Sequence, residues 1–124
     1  MITGTEIRNR SGESIDYTFH PGTRADVLVI LGHGVTGNKD RPLLVALAEG
    51  LASLGWPNLR LSFAGNGKSE GKFEDSCISK DVRDLQAFLD MVPANVSVVY
   101  AGHSMGGAAG VLTAARDIRI RALV

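Results

Sequence analysis

The chain has 124 residues, with thirteen Lys plus Arg set against thirteen Asp plus Glu and a single cysteine. Balanced charge argues against a nucleic-acid-binding patch or a basic membrane anchor, since both leave an excess of positive charge. Cys77 alone rules out an internal disulfide framework and a multi-cysteine zinc site.

Hydrophobic residues make up 44% of the chain, enough for a core and too many for a disordered segment. The first residues lack the apolar stretch of a signal peptide, and no run reaches the roughly 20 apolar residues of a membrane span. The expectation is a soluble, cytoplasmic, single-domain chain with no membrane span.

Residues 6–19 read as a hairpin. Ser11-Gly12-Glu13 is a turn signal, and Ile15–Phe19 alternates apolar and polar before His20-Pro21-Gly22 breaks it. Val27–Leu31 differs: it is a continuous β-branched and aliphatic run, as in a parallel strand covered on both faces. A glycine loop, Gly32–Asn38, follows. The spacing then predicts a helix from Arg41 to Leu54, with Gly55 as its stop.

The pattern repeats. Asn58–Phe63 reads as a strand, Ala64–Gly71 as a glycine-rich loop, and Asp81–Met91 as an amphipathic helix stopped by Pro93. Val96–Ala101 is a third buried strand, Gly102–Gly107 a third glycine loop, Ala108–Arg116 a helix, and Ile118–Val124 a further strand. Strand, loop and helix in repetition predict a mostly parallel sheet with helices on both faces. The last strand reads as broken off in mid-course. The expectation is therefore the N-terminal part (1–124) of a longer domain, with a sheet edge that could pair two copies into a homo-oligomer.

The chemistry is concentrated in Gly102-His103-Ser104-Met105-Gly106, a G-x-S-x-G sequence between a buried strand and a small-residue helix. A nucleophile on such a tight strand-to-helix turn projects its hydroxyl above the sheet. Gly102 and Gly106 allow the close backbone contacts that the turn creates. The amide of Met105 lies at the helix N-terminus, where free N–H groups and the dipole favour an oxyanion. The loop Gly32-His33-Gly34-Val35 follows a neighbouring strand and offers a second donor, the amide of Val35, with Gly34 allowing the sharp turn. His33 reads as a ring bonded to the backbone that shapes this loop rather than as a base.

With these features the chain resembles the α/β-hydrolase superfamily, in particular the cinnamoyl/feruloyl esterase-like and serine aminopeptidase-like (monoacylglycerol lipase-like) hydrolases. The resemblance rests on His33–Lys39, on Arg60–Glu74 and on Gly102–Gly107, in the family's order and at about its spacing. One departure is Ser62, where the family usually has an aspartate that anchors the loop. The resemblance implies an α/β-hydrolase fold and a serine hydrolase of small-molecule carboxylic esters, with an acyl-enzyme on Ser104 and no cofactor or metal. It also implies a catalytic acid and histidine beyond residue 124.

Within the chain no residue supplies those roles. No histidine follows Ser104, and the only later carboxylate, Asp117, lies beyond the outgoing helix. Eleven helical residues at ~1.5 Å each carry it roughly 16 Å away. His103 adjoins Ser104 but lies on the wrong side of the turn, and His20 sits in an early loop. Asp75 and Asp81 read as helix-start carboxylates. Lys39, Arg41 and Lys68 border the presumed mouth, where they could meet an acidic substrate. A competing reading is a non-catalytic α/β-hydrolase-like binding or scaffold module, for which the missing acid and histidine speak.

Overall fold

The computed structural model describes residues 5–124. Five strands form one sheet: β1 (Tyr17–His20), β2 (Val27–Gly32), β3 (Asn58–Leu61), β4 (Ser97–Gly102) and β5 (Ile120–Leu123). Their order is β1-β3-β2-β4-β5. β1 runs antiparallel to β3, and the other pairs are parallel. The predicted mostly parallel sheet is present, and β2 lies directly beside β4, from Val27 opposite Ser97 to Gly32 opposite Gly102. That register brings the loops after β2 and β4 to the same end of the sheet.

The helices are α1 (Pro42–Ser53), α2 (Ile78–Met91) and α3 (Met105–Arg116). All six residues of β2 are buried, which is why its sequence shows no polar alternation. Its side chains still alternate between two cores. Leu28 and Ile30 pack with Leu85, Phe88 and Leu89 of α2 and Ala109 of α3. Val29 and Leu31 pack with Leu44 and Ala48 of α1. Burying a Leu- or Ile-sized side chain contributes about 1.5–3 kcal/mol, so both faces of β2 stabilise the sheet.

The hairpin expected over 6–19 is present only around its turn, where the Asn9 amide donates to the Glu13 carbonyl and the Ile15 amide to the Ile7 carbonyl. Arg8 and Ser14 form a single bridge, and the strand that follows pairs with β3 instead. Asn9 holds the turn, its Oδ1 accepting the amides of Ser11 and Glu13. The apolar stripe of α1 is also wider than the face that the helix buries. Leu43, Leu47 and Leu54 are exposed, while Leu44 and Ala48 are covered. α2 begins three residues before the predicted start, and α3 begins at Met105, immediately after the serine.

Candidate active site

The turn after β4 is built by close backbone approach. Ser104 has φ 57° and ψ −122°, a left-handed conformation that costs a non-glycine residue about 1–3 kcal/mol. Its neighbours make room for it. A Cβ on Gly102 would lie 2.5 Å from the carbonyl oxygen of Gly106, and one on Gly106 would strike the carbonyl oxygen of His33. Tyr100 threads beneath α3 and donates its hydroxyl to the Gly106 carbonyl at 2.7 Å. Gly107 and Ala108 donate their amides to the Ser104 carbonyl and start the helix. Ser104 itself is exposed.

The loop after β2 closes against this turn. The His103 amide donates to the Gly32 carbonyl at 3.1 Å. A Cβ on Gly34 would sit 3.2 Å from Cβ of Ser104, so the loop passes the serine at van der Waals distance. His33 is buried, and both ring nitrogens are occupied. The Phe63 amide donates to Nε2 at 3.0 Å, which places the ring proton on Nδ1, 2.7 Å from the Gly34 carbonyl oxygen. Burial, first, and the nearby Arg41 charge hold its pKa below the ordinary histidine value. The ring therefore stays neutral and shapes the loop.

Several amides at this junction have no protein acceptor among the described residues, those of Val35 and Met105 as well as those of Gly34 and Ser104. A cavity of about 290 Å³ opens beside Ser104, lined by Gly34, Val35, Arg41, Leu43, Leu44 and His103 among others. A second, also about 290 Å³, lies across the loop and takes in Val35, Phe63, Met105 and Asp81.

Bringing Ser104, Met105, Val35, His33, Gly34, Gly102, His103 and Gly106 to one end of the sheet is a consequence of the β2–β4 pairing. What the structure does not bring there is a base. No side chain among the described residues hydrogen-bonds the Ser104 hydroxyl. His20 lies on β1 and accepts from Arg60 Nε at 3.1 Å. Asp117 is engaged by Arg119 at 2.7 Å. Lys39 is not free to meet a substrate: its ammonium reaches Thr18 at 2.9 Å and Asp40 at 3.3 Å. Arg41 does line the cavity at Ser104.

Two buried carboxyls escape a reading of the sequence. Asp81 and Asp84 lie on the buried face of α2. Asp84 accepts from the Ala64 amide at 2.8 Å and from Asn9 Nδ2 at 2.9 Å, and so ties the loop after β3 to the N-terminal turn. Asp81 has no hydrogen-bond partner among the described residues, and its Oδ2 is sealed from solvent. An i, i+3 spacing puts both acids on one face. That spacing in an otherwise apolar stripe was the available signal.

Comparison with known proteins identifies the family and the fold. The profile of the serine aminopeptidase, S33, family matches residues 23–124. Est1E from Butyrivibrio proteoclasticus, solved with ferulic acid bound, is 30% identical with a TM-score of 0.85, over 97% of this chain and 51% of that one. Alpha/beta hydrolase domain-containing protein 10 from mouse is 28% identical with a TM-score of 0.79, over 94% of this chain and 46% of that one. The esterase Pf2001 of Pyrococcus furiosus, at 23% identity and a TM-score of 0.83, shares the fold over 96% of this chain and 48% of its own. No curated protein sequence matches the chain. The chain spans about half the length of these solved relatives. With an S33 profile over most of its length and this fold around its serine turn, the chain belongs to the serine aminopeptidase, S33, family of α/β-hydrolases.

Proposed function

We propose that this chain is the nucleophile-bearing part of a serine hydrolase that cleaves small-molecule carboxylic esters through an acyl-enzyme on Ser104. The observation that carries the reading is Ser104 itself. It is an exposed hydroxyl in a strained left-handed turn, at the mouth of a cavity, in a junction whose amides, Val35 and Met105 among them, have no protein acceptor among the described residues. Strain of this kind persists where the surrounding structure over-determines it, and it clusters at sites of chemistry.

In the proposed reaction the Ser104 hydroxyl attacks the ester carbonyl carbon while a histidine takes its proton. The carbonyl oxygen becomes an anion, held by the Val35 and Met105 amides. The tetrahedral adduct expels the alcohol, which takes up the proton from the histidine. Water then attacks the acyl-enzyme by the same route, releasing the acid and restoring Ser104. Preformed amide donors of this kind are worth about 2.7–4 kcal/mol each in the transition state. The histidine and the carboxylate that orients it come from outside these 124 residues. His33 has both nitrogens spent, and His20 and Asp117 are engaged elsewhere.

The test uses protein made from the complete reading frame and 4-nitrophenyl butyrate. A rapid release of one equivalent of 4-nitrophenol per chain is expected, followed by slower turnover, and Ser104→Ala abolishes both. Equal turnover by Ser104→Ala would remove the serine from the mechanism.

A further inference from the structure

We propose that the cavity on the α2 side of the loop after β2 is a subsite for an uncharged, hydrogen-bond-accepting arm of the substrate, and that Asp81 is the group that reads it. The inference rests on Ser104 as the nucleophile. It starts from a contrast between two acids one helical turn apart. Both are almost wholly buried. Asp84 accepts two hydrogen bonds and is spent on the fold. Asp81, 2% exposed, has none among the described residues. A buried polar group without a partner costs about 1–3 kcal/mol, so such a group calls for a ligand or a role.

Its surroundings decide what that ligand is. The cavity wall around Asp81 is largely apolar, with Phe63, Phe73, Val35 and Met105. The charged and titratable groups near it are Asp84 and Lys80 on its own helix, Glu74 from the 3-10 turn, His33 from the loop after β2 and Tyr100 from β4. Lys80 is committed to Glu13 at 3.0 Å, His33 is neutral, and no cation lies within ion-pair distance of Asp81 among the described residues. Burial first, and then the Asp84 charge, raise the Asp81 pKa to about 7. Below that pH Asp81 is a neutral acid with one unspent O–H donor. Its complement is a short apolar arm that carries a carbonyl or ether oxygen. Val35 and Met105 also line this cavity. An arm bound here is therefore continuous with an ester carbonyl held by their amides.

The direct test follows the Asp81 carboxyl by ¹³C NMR in the Ser104→Ala protein made from the complete reading frame. Titrations are run alone and with methyl 4-oxopentanoate, methyl pentanoate or methyl 5-aminopentanoate. A ligand that accepts the proton's hydrogen bond favours the neutral form, so the ketone raises the midpoint beyond the effect of the plain chain. Equal shifts with ketone and plain chain overturn the proposal. So does a lowered midpoint with the amine alone, which would mark a cation site.

Kinetics give the second readout. Below pH 7 the wild type is expected to favour 4-nitrophenyl 4-oxopentanoate over the pentanoate by about tenfold in kcat/KM, one hydrogen bond's worth. The preference fades above pH 7 as the donor is lost. Asp81→Asn, which keeps a donor, retains it at every pH, and Asp81→Leu loses it. The same ratio in wild type and Asp81→Leu contradicts the proposal. If the wild type turns over neither ester, the reading of Ser104 fails, while the NMR titration still decides the subsite.

Discussion

Two glycine-rich loops meet at the same end of this sheet and solve the same problem in opposite ways. In the loop after β3 the left-handed conformations fall on Gly65, Gly67 and Gly71, where they cost little. Side chains then fasten that loop: Ser69 donates to the Ser62 carbonyl at 2.6 Å and accepts the Asp16 amide at 2.8 Å. Asp84 takes the Ala64 amide. In the turn after β4 the left-handed residue is Ser104, and the glycines stand beside it at Gly102 and Gly106. Where only a chain reversal is needed, glycine takes the strained conformation. Where a side chain must occupy that conformation, the strain stays on it and the glycines remove the clashes around it.

Substitutions can break this contrast, and the largest effect is expected at Gly106. A methyl group there meets the backbone of the segment that ends β2, the carbonyls of Gly32 and His33, which no rotamer can relieve. Gly106→Ala should lose about 3 kcal/mol or more, read by urea unfolding of the complete chain, or fail to fold. In the other loop the weak point is a side chain. Asp84→Ala leaves the Ala64 amide unpaired in the interior and takes one of the two acceptors of Asn9 Nδ2, the other being Glu13, and a loss of about 1–3 kcal/mol is expected. Ser104 gives the smallest change and the opposite sign. Ser104→Gly should gain about 1 kcal/mol because glycine accepts φ 57° freely, whereas Ser104→Ala should gain nothing. Equal melting temperatures for the two variants would show that the turn is not strained.

The same contrast explains what could be read from the sequence. The turn after β4 is encoded locally: a buried strand, glycines at fixed offsets from a serine, and a run of small residues. Residues 97–116 were therefore legible almost residue by residue, apart from a helix start placed three residues late. β2 was equally clear, because a strand buried on both faces has a continuous apolar run. The loop after β3 is held by partners far away in the chain, and Asn9 to Asp84 spans 75 positions. No local pattern announces such a bond. Asp81 consequently reads as a helix-start carboxylate and Asp84 attracts no reading, and their burial appears only once α2 is packed. The shortness of the hairpin has a related cause. Alternation in Ile15–Phe19 reveals a strand but not its partner, and Tyr17–His20 pair with β3 while Arg8 reaches only Ser14.

The central claim is that the strained turn makes Ser104 a nucleophile. The most direct test is labelling with a fluorophosphonate, followed by peptide mass spectrometry, on protein made from the complete reading frame. One adduct per chain is expected, on Ser104, absent from Ser104→Ala. A folded protein that leaves Ser104 unlabelled, or that carries the adduct on another residue, would contradict it.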